Sequence, residues 1–395
     1  MNPDPKARIP RTVWALGAVS LLMDVSSEMI HALLPVFMVS VLGASAIAVG
    51  LVEGIGEATA AIVKLFSGAL SDRLGKRKVL AALGYGLGAL SKPLFALAPT
   101  VGWVLAARFS DRIGKGIRGA PRDALIADVT PPAQRGAAFG LRQALDTVGA
   151  LSGPLLAIGL LALFAGEMRA VFWCAVIPGV AAVAVLILFV REPARHARAA
   201  PPPRLGWREL GALGRAFWAV TALGVVFTFA RFSEAFLVLR VEGVGLPLIW
   251  VPLVLVVMNL VYALVAYPAG SYSDRVDRRF LLAAGMAVLI AADIVLALAA
   301  NVFAALAGVA LWGLHLGLTQ GLLAALVADT APPARRGTAF GWFNLVSGVV
   351  LLFASLLAGV LWEVAGPAAT FYAGAAFAAL ALGGLLAWLA RRGAA

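Results

Sequence analysis

Apolar residues run along this chain in stretches of about twenty, broken at short intervals by clusters of Arg, Lys, Asp, Gly and Pro. At 1.5 Å per residue, about 20 residues make a helix long enough to cross a ~30 Å hydrocarbon core. On that measure the sequence predicts twelve helices, at 12–42, 46–71, 79–98, 101–128, 136–164, 169–191, 213–240, 246–272, 280–299, 301–328, 337–362 and 367–390. The expected fold class is all-α and integral to a membrane. The even number of crossings puts both ends of the chain on one side.

One segment departs from the pattern. Arg108 to Asp123 reads RFSDRIGKGIRGAPRD inside an otherwise apolar helix. At 100° per residue, Arg108, Asp111, Arg112, Lys115, Arg118, Arg122 and Asp123 fall within about 140° of the circumference. A charge at the bilayer centre costs at least ~2.5 kcal/mol, so this face has to turn inward, toward opposite charges or a water-filled cavity. That interior is the expected functional site.

Composition agrees with the pattern. Of 395 residues 62% are hydrophobic and 13% charged, against about 25% charged in soluble domains. The net charge of +12 sits in short clusters between apolar spans and forms no soluble basic face, so no nucleic-acid partner is expected. Loops on one side carry Arg73, Lys76, Arg77, Lys78, Arg135, Arg191, Arg195, Arg198, Arg275, Arg278, Arg335 and Arg391, while the opposite loops carry essentially Arg169. By the positive-inside rule both termini are cytoplasmic, in a multi-pass protein of the cell's inner (plasma) membrane. The first apolar segment is too long for a cleaved signal and holds Asp24 and Glu28 in its middle. The single Cys174 excludes an intramolecular disulfide and a multi-cysteine metal site. No GxxxxGK[ST], GxSxG or HExxH motif occurs, so neither ATP drive nor an enzyme is expected.

The chain repeats itself. ALIADVTPPAQRGAAFG, ending at Gly140, matches ALVADTAPPARRGTAFG, ending at Gly341, at an offset of 201, and GALSDRLGKRK matches GSYSDRVDRRF at 202. Two segments repeating at nearly one offset imply a duplicated six-helix unit. The expected domains are a bundle at 1–192, a Pro- and Arg-rich cytoplasmic linker at 193–212 and a second bundle at 213–395.

At GALSDRLGKRK the chain resembles the major facilitator superfamily, whose signature GxxxDRxGRR lies between helices 2 and 3. Gly68, Asp72, Arg73, Gly75, Lys76 and Arg77 fit it, and Gly270, Asp274, Arg275, Arg278 and Arg279 repeat it, with Asp277 in place of the second glycine. The resemblance implies two pseudo-symmetric six-helix bundles and transport by alternating access. It also implies a cytoplasmic gating latch of Gly68, Asp72, Arg73, Gly75, Arg77, Asp128, Asp274 and Arg275, with Arg73 facing Asp128. Gly149, Gly153 and Pro154 in GALSGP resemble the core of the family's antiporter motif, although Ala157 and Gly159 replace its following paired glycines. As residues they are helix-packing positions. Arg112 and Gly116 resemble a motif implicated in proton coupling, with Lys115 and Arg118 as departures.

Further charges share inward faces. Asp24, Glu28 and His31 recur at i, i+4 and i+7, Glu53, Glu57 and Lys64 line the second helix, and Arg142 and Asp146 the fifth. Over helices 1, 2, 4 and 5 seven acids meet seven bases, which favours a buried ion-pair network. The second half is aromatic and polar instead: Phe227, Arg231 paired with Glu234, Asn259, Tyr262, Trp312 and His315. With Glu53, His31, Arg108, Asp111, Lys115, Arg118, Arg142 and Asp146, these line the expected substrate cavity.

The expected function is secondary active transport of a small solute by a monomer in the bilayer, without a cofactor, with a proton gradient as energy source and antiport (efflux) as its direction. Glu28, with Asp24 or Glu57 as accessory, carries the proton, and Arg112 drives its release. Three alternatives stand beside it: proton-coupled uptake of an organic anion or zwitterion, a divalent metal carrier using Asp24, Glu28 and His31, and a sensor that does not transport. The topology has a direct check. In a Cys174→Ala background, cysteines at 169 and 363 should react with an impermeant thiol reagent in intact cells, and those at 198 and 278 should not. Labelling at 198 but not at 169 contradicts it.

Overall fold

A computed structural model describes residues 9–192, 211, 213–273, 276–319, 321–332 and 335–393, all helix and connecting turns with no strand among them. Among the described residues eleven helical segments are long and apolar enough to cross a membrane. Val101–Val129 is equally long but interrupted by its charges, and makes the twelfth. In chain order the helices are α1 (Arg11–His31), α2 (Leu34–Val36, continued by π-helical turns over Phe37–Val41), α3 (Ala46–Leu74), α4 (Arg77–Leu97), α5 (Val101–Val129), α6 (Arg135–Leu163) and α7 (Met168–Phe189). The second half follows with α8 (Gly214–Ala230), α9 (Ala235–Gly243), α10 (Leu253–Ser273), α11 (Arg278–Leu298), α12 (Val302–Thr319), α13 (Leu322–Thr330), α14 (Arg336–Ala365) and α15 (Pro367–Gly393).

The outer surface is apolar, with Phe303, Leu163, Ile177 and Leu188 exposed, while Lys92, Asp111 and Asp293 are buried. That inversion fits a protein whose solvent is lipid.

The chain packs as two units, Met1–Leu33 with Thr59–Pro202 and Leu34–Ala58 with Pro203–Ala395. In the first, α4 packs on α5, α1 on α6 and α7, and α4 on α7. In the second, α11 packs on α12, α8 on α14 and α15, and α11 on α15. Each pairing in one list has its counterpart in the other, as gene duplication of a six-helix unit requires. Residues 34–58 join the second unit because Gly50 and Gly54 let α3 approach the backbone of α14 at Ser355 and Leu352, where the Ala46 N–H also meets the Glu363 carboxylate at 3.1 Å.

Small residues set the closest contact of the first unit as well. An added Cβ on Gly114 of α5 would lie 2.6 Å from the Gly84 carbonyl oxygen and 2.9 Å from the Gly88 nitrogen of α4. Helix ends are closed by side chains from elsewhere in the same unit. Glu192 accepts the Arg77 and Lys78 N–H groups at the start of α4 (2.6 and 3.2 Å), and Arg169 donates to the Ala96 and Ala98 carbonyls at its end (2.8 and 2.7 Å). Arg240 does the same for α11, donating to the carbonyls of Leu296, Ala297 and Ala299. Arg169 therefore has a capping task.

Three segments expected to be continuous are broken. The first breaks after His31, one turn before Pro35, which has no N–H to give to the ladder. The seventh breaks at Arg231 to Glu234, where Ser233 Oγ accepts the Ala235 N–H (3.2 Å) and Ser355 Oγ the Ser233 N–H (3.2 Å), so side chains replace lost backbone bonds. The tenth breaks at Gly321, whose φ of +74° opens α13. Broken helices inside a membrane occur where protein or water covers the freed groups, and mark functional positions in transporters.

Gly114→Ala should test the α4–α5 contact, because overpacking a tight backbone contact costs about 1–3 kcal/mol. Thermal unfolding in lipid should show a clear loss for Gly114→Ala and little change for Gly86→Ala, where an added Cβ meets nothing within 4 Å.

Candidate functional site

The charged helix α5 is started by Thr100, whose Oγ1 accepts the Trp103 N–H at 3.4 Å, and carries its ionic groups in two tiers. In the first tier Asp111 is the centre. Lys92 Nζ of α4 donates to Asp111 Oδ1 at 2.8 Å and to Ser27 Oγ of α1 at 2.9 Å, and Lys92 is 0% exposed. Ser91 Oγ lies 3.3 Å from the same oxygen. Arg112 Nε is 4.0 Å and His31 Nε2 3.9 Å from Asp111 Oδ2. Arg108 Nη1 contacts His31 Nε2. Arginine has no acceptor, so Nε2 must accept and the imidazole proton sits on Nδ1, which faces Glu28 Oε1 at 3.5 Å. Glu28, with its side chain 26% exposed, is thus the accessible end of a chain that runs through His31 to a buried ion pair.

The second tier lies along α5 toward its C-terminus. Arg122 donates to Ser20 Oγ (2.8 Å) and Asp123 Oδ1 (3.0 Å) and approaches Tyr85 Oη (3.5 Å). Arg142 pairs with Asp146 at 2.5 Å and lies 3.9 Å from Asp123. Arg118 lays its guanidinium 4.8 Å from the Tyr85 ring centroid, and its Nη1 is buried without a hydrogen-bond acceptor. Asp24 lies near enough for its charge to act on Asp146.

Gly149 and Gly153 of α6 seat this face of α1. Their added Cβ atoms would meet Asp24 Cβ at 2.9 Å and Glu28 Cβ at 2.7 Å. The glycine stripe therefore touches the two carboxylates expected to couple ion movement, with Pro154 buried beside it.

The expected cluster thus comes together for Asp24, Glu28, His31, Arg108, Asp111, Arg112, Arg118, Arg142 and Asp146. Lys115 is exposed on α5. Glu53 and Glu57 belong to the other packing unit, where Glu53 is buried. The count of seven acids against seven bases is confined to helices 1, 2, 4 and 5, and the ion pair at Asp111 draws its base, Lys92, from the third helix. No pattern within α4 announces Lys92. The repeat does, since 293 − 92 and 312 − 111 both equal 201, which pairs Lys92 with Asp293 and Asp111 with Trp312.

That pairing is seen in the second unit. Trp312 Nε1 donates to Asp293 Oδ1 at 2.9 Å, across the same helix pair that holds Lys92 and Asp111 in the first. Nearby, His315 Nδ1 meets the Gly285 carbonyl at 2.9 Å and its ring stands edge-on to Phe227 and Trp312. Arg231 lies over Phe227, 5.7 Å from the ring centroid, under the charge of Glu234. Asn259 and Tyr262 are half-buried on α10.

Among the residues expected to form a gating latch one pairing is corrected. Asp128 receives Arg77 at 2.5 Å, not Arg73, which is exposed on the last turn of α3. Gly75, at φ +62°, ends α3 and turns the chain so that Arg77 opens α4 beside the end of α5, where it also donates to the Ala124 carbonyl at 2.8 Å. Gly68 faces Ala120 of α5 at 3.5 Å. Asp274, Arg275 and the side chain of Asp72 lie outside the described residues. In the second half Arg278, which the motif repeat aligns with Lys76, lies 3.7 Å from Asp329, the residue that repeats Asp128.

Two repeated bundles, broken spans and buried polar centres define a class: polytopic α-helical transport proteins built by duplication. The family model described as Major Facilitator Superfamily matches residues 16–260 and 242–394. An uncharacterised MFS-type transporter of Methanocaldococcus jannaschii is 32% identical over 385 residues, covering 95% of this chain and 94% of its own. A multidrug resistance protein, MdtH of Photorhabdus laumondii, is 32% identical over 143 residues, 36% of this chain and 35% of its own. Among solved structures, a POT family transporter in complex with a thioalcohol-conjugated peptide superposes with a TM-score of 0.81 at 14% identity, covering 96% of both chains. The chain belongs to the major facilitator superfamily, and is a secondary transporter and not an enzyme.

The corrected latch is testable. Arg77→Ala should remove a contact to a charged group worth about 1.5–3 kcal/mol and lower the unfolding midpoint in lipid, while Arg73→Ala should stay within about 0.5 kcal/mol of wild type. Equal effects would contradict the assignment of Asp128 to Arg77.

Proposed function

We propose that this transporter sits in the plasma membrane with both termini cytoplasmic and exports an amphipathic solute in exchange for protons, with Glu28 as the coupling carboxylate. The observation that carries the reading is the Glu28–His31–Asp111 chain. A partly exposed carboxylate is joined through one neutral imidazole to arginines and to a buried Lys–Asp pair. Protonating Glu28 removes a charge at the His31 Nδ1–H, and Arg108 and Arg112 favour its return. The Gly149–Gly153 stripe supports antiport because it packs α6 directly on Asp24 and Glu28, so any tilt of α6 changes their surroundings. The partial match to a multidrug resistance protein supports export and an amphipathic cargo.

The divalent metal alternative has less support. Both ring nitrogens of His31 are engaged, and among the described residues no group of three or more His, Cys, Asp or Glu is arranged to hold a metal ion.

In proteoliposomes with an imposed pH gradient and amphipathic drugs as solutes, Glu28→Gln should reduce accumulation to the equilibrium level while retaining exchange at equal pH. Accumulation that survives in Glu28→Gln, Glu57→Gln and Asp24→Asn alike would place the coupling carboxylate elsewhere.

A further inference from the structure

We infer that Asp293 is a second proton-binding site, held as the neutral acid in the core of the C-terminal half and covered by Phe232 from the break in the seventh span. Its side chain is 0% exposed, and among the described residues its one hydrogen bond is from the Trp312 indole to Oδ1. Oδ2 is buried without a partner. A lone carboxylate at this depth would keep an uncompensated charge in a dry interior, whereas the neutral acid does not.

Among the described residues the surrounding elements show no counter-charge at Asp293. On α12 the titratable group is His315, whose Nδ1 is at the Gly285 carbonyl. At the α8–α9 break Arg231 lies over Phe227 beside Glu234. Arg240 of α9 is committed to the carbonyls of Leu296, Ala297 and Ala299. On α15 there is Tyr372, on α10 Tyr262, Tyr267 and Tyr272, and on α13 Asp329, which meets Arg278. None of these makes an ion pair or hydrogen bond with Asp293 among the described residues.

The donor set also argues for a proton over a metal cation. Around Oδ2 stand Gly374 of α15, whose added Cβ would lie 2.5 Å away, and the Phe232 ring, 3.0 Å from that same Cβ position. A sodium, magnesium or calcium ion needs several oxygen ligands, and glycine carbon and aromatic edges offer none. A proton needs only the carboxylate.

Access runs through the broken helix. Phe232 is one of the unwound residues, with its ring 6.0 Å from that of Trp312 and 5.6 Å from that of Phe371. Rearrangement of Arg231 to Glu234 would lift Phe232 off Asp293 and admit water. The duplicated position in the first half holds Lys92 in a permanent ion pair, so one repeat keeps a fixed charge where the other keeps an exchangeable proton.

The inference deepens the proton-coupled reading, and its test needs no transport. Infrared difference spectra of the full chain in lipid nanodiscs at neutral pH should show a protonated-carboxyl C=O stretch that is lost in Asp293→Asn and kept, at a shifted frequency, in Asp293→Glu. Trp312→Phe should move the band upward by removing the Oδ1 hydrogen bond. Asp293→Asn, isosteric with the neutral acid, should unfold close to wild type. If wild type minus Asp293→Asn shows loss of carboxylate bands instead, the proton site is overturned. Phe232→Ala should speed hydrogen–deuterium exchange of the band by about tenfold or more, since local opening sets that rate. An unchanged rate contradicts its role as cover.

Discussion

The fold depends on a cationic, acid-bearing helix being neutral where it faces the bilayer interior. Lys92 and Asp111 provide the centre of that neutrality: 2.8 Å apart, both buried, and joined to α1 through Ser27 and His31 and to α4 through Ser91. Such a pair gives little net stability against a well-packed apolar substitute, yet removing one partner leaves a charge with nothing to offset it. Its work is one of specification. With Asp111 fixed on Lys92, the helices carrying Glu28, Arg108 and Arg112 have one register in which their charges meet.

The duplication shows how such a constraint can be relaxed. The same two positions, 201 residues on, hold Asp293 and Trp312, and an indole N–H replaces the ammonium. The first half is organised by permanent charges in two tiers. The second is organised by aromatic rings, a buried imidazole and helices that break at Arg231 to Glu234 and at Gly321. A fixed half and an adaptable half suit a protein that must change shape around a bound solute.

Much of this was legible in the sequence, because hydropathy and repetition act over tens of residues. The spans, the duplication and the ionic face of the fourth helix followed from spacing alone. What escaped was set by single contacts. Lys92 sits alone on its helix with no periodic partner, and only the repeat offset betrays it. The transfer of Asp128 from Arg73 to Arg77 turns on the positive φ of Gly75. The breaks in the first and seventh spans depend on Pro35 and on Ser233 and Ser355, residues too common in membrane helices to signal an interruption by themselves.

The central claim is that Lys92 and Asp111 act as one neutral unit, and a double-mutant cycle measures it most directly. Unfolding of Lys92→Met, Asp111→Leu and the double variant would be followed in lipid. Each single change should cost about 3–5 kcal/mol, and the double should cost less than the sum by more than about 0.5 kcal/mol, the limit for independent sites. Additive losses would mean that the two charges are held separately and that the charged helix is organised by some other contact.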